Sequence, residues 1–304
     1  MSELIADPPI TAVEPRFPSA VSDRLRLRAN HLKMLPAIAI QALDIAKDPE
    51  CGLWDFSSVV ERDVTLAADI LRMANSVMFG GRPVMNLHKG VVRIGIRACK
   101  NLIIASSFSS MMKKLTLETE WIREMLWQHS FTTAVMSLTL NRTLKLGFQG
   151  EEFTGGLVHD IGRMLLATCY PESFTEIDLL DFDEGPEAIA REQAVLGTDH
   201  CEVGVWFTRK NMMPEPLVDV VRFHHAPERS RSNGRLVALV AMADHMSNYL
   251  QRTGVSEGYD PASNPATHVL EANGVESAAD RFAEIASTVM ETARHDSQEI
   301  ASGR

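Results

Sequence analysis

Seven histidine and aspartate side chains are the groups of this sequence best suited to chemistry. In chain order they are His129, His159, Asp160, His200, His224, His225 and Asp244. Imidazole nitrogens and carboxylate oxygens are the usual protein donors for divalent metals such as Zn, Fe, Mn and Mg. Two metals that share a carboxylate can hold a phosphate and generate a hydroxide nucleophile. The set therefore indicates a metallohydrolase site, or a site descended from one.

The neighbouring pair His159-Asp160 sets a geometric condition on such a site. Two adjacent side chains cannot point the same way along a straight helix. Both can reach one metal if the chain is near a helix end or if helices cross there. The remaining ligands would come from separate helices, an arrangement that helical cores use for metal sites. The sequence leaves open whether His224 or His225 faces the site.

Each of these residues also has a purely structural interpretation. A single histidine in an apolar helix is more often a hydrogen-bonded core residue than a ligand. Asp160 could cap a helix or form an ion pair, and the His-His pair could be a turn before Pro227. We assign core or surface roles to the other five histidines, which are His31, His88, His245, His268 and His295. The metal hypothesis depends on the ordered set.

Composition excludes several classes of protein. The chain has 304 residues, of which 45% are apolar and 23% charged, as in ordinary globular proteins. A net charge of −10 argues against general nucleic-acid binding. A local basic group, formed by Arg93, Arg97 and Lys100, has a simpler interpretation as a solvated helix face.

Targeting and redox features favour a cytoplasmic protein. No segment approaches the roughly 18–20 uninterrupted apolar residues of a membrane span. The N-terminal residues lack the apolar core of a secretory signal, so we expect no membrane association. The four cysteines contain no CxxC pair and are expected to be reduced thiols that mostly fill the core; they are Cys51, Cys99, Cys169 and Cys201.

Apolar spacing is helical nearly throughout, and convincing strand alternation is absent, which predicts an all-α fold. Pro36 is expected at the first position of a helix over 36–47, and Asp55 as the N-cap of a helix over 55–62. Further helices are predicted over 64–78, 87–112, 119–146, 151–169, 184–197, 199–210, 217–225, 233–252 and 276–294. Gly95 is either a close-packing point or a break within 87–112.

The chain divides into four regions. Residues 1–20 are a proline-rich tail, 21–118 an N-terminal helical half, and 119–252 the half that contains the histidines. Residues 253–304 comprise a loop, a C-terminal helix and a polar tail. The polar run at 113–120 is the expected joint between the two halves.

Several motifs occur in one order over about residues 30–250. Leu35-Pro36 opens the first helix, and VVERDVTLAADILRMANSVMFGG and VVRIGIRACKNLII follow. The histidine half then contains WQHSFTTA, GGLVHDIGRMLL, EQAVLGTDHCEVGVWF, MPEPLVDVVRFHHAPE and AMADHMSN. This order resembles the HDOD branch of the HD superfamily of metal-dependent phosphohydrolases. In the second motif, the family positions correspond to Asp63, Leu66, Leu71, Asn75 and Ser76.

The resemblance implies an all-α protein in which an N-terminal helical half packs on an HD-like half. Members of this branch are mostly regarded as bacterial signalling or regulatory modules without established catalysis. The chain departs from the related HD-GYP phosphodiesterases, because HHAPERSRSNGR replaces their glutamate and GYP-like loop. Where those enzymes have a lysine after the HD pair, this chain has Arg163, which cannot easily donate a proton.

Two hypotheses about function follow. The first is a regulatory module that binds signalling proteins through a face around 63–76; Asn75 and Ser76 could instead simply join two helices. The second is a metal-dependent phosphohydrolase for a nucleotide or cyclic nucleotide, in which the seven ligands hold metal and Arg163 stabilises phosphate charge. An intermediate hypothesis is that a bound metal or nucleotide acts as a sensor that biases the packing of the two halves.

Overall fold

The computed structural model describes residues 17–29, 32–48, 50–75, 82–115, 120–183 and 185–301. Helices make up the fold, and these ranges contain no strand, which confirms the all-α prediction. The first half contains α1 (Ser19–Arg24), a π-helix (Leu25–Ala29), α2 (Ala37–Ile45), α3 (Leu53–Val60), α4 (Val64–Ala74) and α5 (Leu87–Lys114).

The second half contains ten helices in the described residues. They are α6 (Glu120–Leu144), α7 (Glu151–Val158), α8 (Ile161–Cys169), α9 (Phe174–Ile177), α10 (Pro186–Leu196), α11 (His200–Lys210), α12 (Glu215–Phe223), α13 (Gly234–Thr253), α14 (Ala266–Ala272) and α15 (Ala278–Ala301). Two 3-10 turns, Pro227–Arg229 and Pro261–Ser263, flank α13. None of the helices in the described ranges has both the length and the apolar character needed to cross a bilayer.

The helix starts of the first half differ in detail from the predicted ones. Pro36 immediately precedes α2, so this helix begins one residue later than predicted. Asp55 is not the N-cap of α3; it is the third residue, and its carboxylate accepts from the Gly52 amide at 3.2 Å. Asp63 caps α4 by accepting from the amides of Thr65 and Leu66 at 3.0 and 3.1 Å. Asp55 thus stabilises the start of α3 from within the first turn of that helix.

Asn75 joins α4 to the segment before α5. Its side-chain amide donates to the Val84 carbonyl at 2.8 Å, and the Val84 amide donates back at 2.7 Å. The joining role anticipated for Asn75 is therefore present, whereas Ser76 and the rest of 76–81 lie outside the described residues. Gly95 breaks α5 with a φ of +81°, and no atom approaches its missing Cβ, so backbone conformation requires the glycine there.

Three apolar clusters form the core, the smallest of them between α12 and α13. The largest combines side chains of the N-terminal half, such as Phe56 and Phe108, with Leu157 and Phe207 of the histidine half. The second is built mainly from α6, α13 and α15, so the C-terminal helix packs against the histidine half. The boundaries 1–20, 21–118, 119–252 and 253–304 remain predictions, and residues 1–16, 116–119 and 302–304 lie outside the described part.

The segment predicted as one helix over 151–169 is two helices, α7 and α8, with the His159-Asp160 pair at the turn between them. Gly162 allows this turn to approach α11. A Cβ at this position would lie 1.8 Å from the His200 carbonyl oxygen, so no larger residue fits without a shift of backbone. The contact brings Asp160 beside His200 and so assembles part of the site.

Candidate metal centre

The structure brings all seven predicted ligands together. His129 comes from the middle of α6, and the His159-Asp160 pair from the turn between α7 and α8. His200 is the first residue of α11, the His224-His225 pair follows α12, and Asp244 lies within α13. The condition set by the adjacent pair is met, because α7 ends at this point and the donor atoms of both side chains reach the same cluster, with His159 Nε2 3.5 Å from Asp160 Oδ2.

Asp160 lies at the middle of the cluster and faces two groups of histidines. Its Oδ2 is 3.6 Å from His129 Nε2 and 3.5 Å from His159 Nε2. Its Oδ1 is 3.3 Å from His224 Nε2 and 3.5 Å from His200 Nε2. The two oxygens of this carboxylate therefore face separate groups of histidines, each of which would hold a metal together with Asp160.

The Oδ1 atom of Asp160 also supplies a test of fit. It is buried and has no hydrogen-bond partner among the described residues. A buried carboxylate oxygen without a partner keeps its full desolvation cost, and native proteins rarely leave such an atom unsatisfied. A cation held with His200 and His224 would satisfy it, so these residues fit a divalent metal.

Among the described residues, the group that faces Asp160 Oδ2 (the Oδ2 side: His129, His159 and Asp244) offers only nitrogen and oxygen donors. His129 Nε2 lies 3.3 Å from His159 Nε2 and 3.1 Å from Asp244 Oδ1. His159 Nε2 lies 3.4 Å from the same Asp244 oxygen. Donors on one metal with bonds of about 2.0–2.2 Å are separated by about 3 Å, which these distances match.

On the Oδ1 side, both members of the His-His pair reach the site. His200 Nε2 lies 3.4 Å from His224 Nε2 and 3.1 Å from His225 Nε2. The question that the sequence left open thus has the answer that both face the centre. Cys201 adds a donor that sequence reasoning had assigned to the core, because its Sγ belongs to a group with the donor atoms of His200, His224 and His225, all within 4.8 Å of one another.

Oxygen atoms behind the histidines fix the ring orientations. The Nδ1 atom of His159 donates to the Gly156 carbonyl at 2.8 Å, and His224 Nδ1 donates to the Val221 carbonyl at 3.1 Å. His200 Nδ1 lies 2.9 Å from the Glu192 carboxylate. Because these contacts keep a proton on Nδ1, each ring in its neutral form would turn the lone pair of Nε2 toward the centre, as in metal-ligating histidines. Sequence reasoning missed Glu192, which shares no recognisable spacing with His200.

Charge interactions hold the two carboxylates ionised. Burial raises the pKa of Asp160, but His159 and Arg163 outweigh it, so the pKa lies well below its usual value. Burial likewise raises the pKa of Asp244, but its hydrogen bonds with His129 and His159 hold it well below the usual value. Burial, with nearby His224 and His200, lowers the pKa of His225 strongly and keeps that imidazole neutral. These are the protonation states in which carboxylate and imidazole bind metals.

Arg163, expected to stabilise phosphate charge, lies behind Asp160. Its guanidinium group donates to Asp178 at 2.7 and 3.1 Å and to Asp160 Oδ2 at 3.0 Å. The side chain is only 4% exposed, and the Phe182 ring lies 5.0 Å from it. The structure thus gives Arg163 the position of a residue that orients Asp160. Its partner Asp178 had no signal in the sequence, because the pairing is made only by the fold.

An open groove gives access to the centre. His224, His225 and Asp244 face it, and so do several arginines: Arg209, Arg222, Arg229, Arg231 and Arg252. Acidic side chains, including Glu202 and Glu215, line the same groove. Arg222 lies 3.6 Å from Glu202, and the guanidinium groups of Arg222 and Arg229 both lie about 6 Å from the Phe223 ring. The groove is therefore polar and of mixed charge.

The sequence model of the HDOD domain family matches residues 32–227, so the chain belongs to this family. Its fold is similar to an HDOD domain protein of unknown function from Geobacter sulfurreducens. The two are 23% identical, the match covers 92% of this chain and 98% of that one, and the TM-score is 0.67.

Two other proteins show the same likeness. One, from Shewanella amazonensis SB2B, is named provisionally as a phosphohydrolase; it is 21% identical over 91% of this chain and 97% of its own, with a TM-score of 0.61. The other is an uncharacterized protein of Treponema pallidum that is 23% identical over 241 residues, or 77% of this chain. The match covers 45% of that protein, so this chain spans less than half of its length.

Proposed function

We propose that the chain is a bacterial signal-transduction module that holds a divalent-metal centre bridged by Asp160 and acts through protein contacts. The observation that carries the metal centre is the two-sided environment of Asp160, with a buried oxygen that lacks a partner. His129, His159 and Asp244 would hold metal on one side, and His200, His224 and His225 on the other. A divalent metal in such a site supplies Lewis acidity and lowers the pKa of a bound water.

The position of Arg163 supports a regulatory role over a catalytic one. In the phosphohydrolase hypothesis this residue would meet phosphate, yet its guanidinium group is already held by Asp178 and Asp160 away from the groove. A group fixed in a buried ion pair is poorly placed to follow charge on a substrate. The pair instead stabilises the bridging carboxylate.

Exposed apolar side chains in the N-terminal half support a protein partner. Trp54, Val64 and Met85 are 65%, 83% and 93% exposed, although large apolar side chains usually avoid such exposure. They lie on α3, at the start of α4 and just before α5, and both α3 and α4 pack on α5. We propose that a signalling protein covers this apolar surface of Trp54, Val64 and Met85, beside the 63–76 region anticipated from the sequence.

Elemental mass spectrometry of protein purified without chelator or histidine tag tests the metal centre. We expect near-stoichiometric metal in the wild type and a large loss in Asp160→Asn, which removes the charge but keeps the shape. Asp219→Asn, which changes a groove carboxylate outside the ligand set, is the matched control and should keep its metal. Wild-type protein that holds no metal, even after incubation with Mn, Fe or Zn, would refute the proposal.

A second function, metal-dependent phosphoester hydrolysis, is favoured by the groove. Three ligands face it, and arginines suited to phosphate line its wall. The test is a screen of cyclic dinucleotides and nucleotide esters with each of Mn, Fe, Mg and Zn. Turnover that is lost in Asp160→Asn would make this the primary function, whereas metal-loaded protein without turnover leaves the regulatory proposal in place.

A further inference from the structure

Cys201 lies beside the centre, although its side chain could have packed in the apolar core like those of Cys99 and Cys169. It is the second residue of α11, directly after the ligand His200, and it faces the groove. Its Sγ is within 4.8 Å of the donor atoms of His200, His224 and His225. The thiol is thus part of the cluster on the Oδ1 side of Asp160.

The partnerless oxygen of Asp160 indicates independently that this side takes a cation. Oδ1 points at His224 and His200, at 3.3 and 3.5 Å from their Nε2 atoms. Glu192 fixes the His200 ring, and backbone carbonyls fix the ring of His224, so both donors are oriented before any ion binds. No comparable sulfur atom belongs to the groups on the Oδ2 side in the part of the chain that the structure describes.

We propose that Cys201 is a thiolate ligand that makes the Oδ1 side selective for Zn²⁺. The inference depends on the proposed metal centre and specifies the chemistry of one of its two sides. Thiolate favours zinc over Mg²⁺ and Mn²⁺, which prefer oxygen donors, whereas the Oδ2 side has only imidazole and carboxylate. The two sides would therefore hold chemically different metals.

Thiolate ligation also bears on reactivity at this position. Zinc in structural sites takes four protein donors, whereas catalytic zinc keeps one position for water. His200, His224, His225, Cys201 and Asp160 together offer five donors. The protein can therefore fill the coordination sphere of zinc on this side, which suits a structural or sensing role rather than hydrolysis. The thiol must lose its proton on binding, so zinc uptake releases one proton more than it would with serine at this position.

Cobalt substitution of the full chain tests the assignment, because thiolate bound to Co²⁺ gives a near-ultraviolet charge-transfer band. We expect this band in the wild type and in the control Cys51→Ser, whose half-buried thiol lies outside the cluster. Cys201→Ser should lose the band but keep the visible absorption of Co²⁺ bound by nitrogen and oxygen. The Zn²⁺ affinity of Cys201→Ser should fall by about 10–100-fold or more, the range typical of changes around a metal site. Its Mn²⁺ affinity should change little.

A second measurement needs no variant. X-ray absorption at the zinc edge of the Zn²⁺-loaded full chain should show a sulfur neighbour at about 2.3 Å beside nitrogen and oxygen neighbours. Co²⁺ bound without a thiolate band, or bound Zn²⁺ with nitrogen and oxygen neighbours alone, would overturn the thiolate assignment and leave the metal centre intact. Failure of the wild type to bind either ion would instead overturn the metal centre together with this inference.

Discussion

The two halves of the molecule break the usual rules of burial in opposite ways. The histidine half buries a cluster of carboxylates, imidazoles and a guanidinium group, with His129 and His159 fully inaccessible. The N-terminal half instead carries the most exposed of the large apolar side chains described, such as Val64 and Met85. Buried charge costs folding free energy because it loses hydration, and an exposed apolar side chain gives up the stabilisation that its burial would supply. The contrast agrees with the two binding functions proposed above, for ions in the histidine half and for a protein in the N-terminal half.

The largest effect is expected from removal of the charge behind the centre. Asp178→Ala removes two hydrogen bonds from the buried guanidinium group of Arg163, and breaking a buried ion pair in this way costs about 3–5 kcal/mol. Chemical denaturation of the metal-free protein measures the loss. The control is Asp183→Ala, which breaks an exposed pair with Arg252 and should change stability far less. Equal losses in the two variants would show that the buried network contributes nothing special to the histidine half.

A second effect concerns pH and His159. Burial lowers the pKa of this imidazole, but Asp160 and Asp244 outweigh burial and raise it from 6.5 to about 9. Because the folded value is the higher one, the charged imidazole stabilises the metal-free fold fully below about pH 6.5, and this stability is lost as pH rises through about 9. A metal needs the neutral ring, so its affinity should rise about tenfold per pH unit over the same window.

Thermal unfolding and metal titration across that window separate the two trends. The metal-free protein should lose stability toward pH 9, whereas metal affinity should increase. His268→Gln, which changes an exposed histidine, is the control and should keep both profiles. Metal affinity that does not vary with pH would mean that His159 is already neutral in the metal-free protein.

Some residues of the candidate site could be predicted from the sequence, and others could not. The seven ligands could be found because histidine and aspartate in apolar helices are unusual and occur in a known order. Glu192 and Asp178 could not, because they meet His200 and Arg163 only through packing of separate elements. Cys201 was assigned to the core because a thiol in an apolar helix has the same pattern whether it packs or binds metal.

The fold shows the same division between local and tertiary information. Apolar periodicity predicted most helices because each helix buries one face. Their ends were less accurate: Asp55 has the residue type of an N-cap, but it acts from the third helical position by accepting from Gly52. The break between α7 and α8 was missed because it depends on the approach of Gly162 to His200, which no local pattern records.

A smaller effect is expected at Glu192, which orients a ligand without touching the metal position. Glu192→Gln keeps the size of the side chain but removes the charge that faces His200 Nδ1 at 2.9 Å. Loss of such a partner typically lowers metal affinity by about 10–100-fold. Competition with a metal-binding dye gives the affinity, and Glu187→Gln, the same change at an exposed residue of α10, is the control. Unchanged affinity in Glu192→Gln would show that helix packing alone orients the His200 ring.

The smallest effect on stability, and the sharpest test of the contrast, is expected at Met85. This side chain is 93% exposed, so Met85→Ser should change the free energy of unfolding by no more than about 0.5 kcal/mol. If the apolar surface is a binding face, the same change should abolish cross-linking to a partner that the wild type captures reproducibly. Val195→Ser alters an apolar side chain that is 57% exposed in the histidine half, and it should leave that cross-link intact.

A cross-link that survives the combined change Met85→Ser, Val64→Ser and Trp54→Ser would show that the N-terminal half is not the binding face. Binding would then have to be sought along the groove, and the two halves would no longer differ in what they bind.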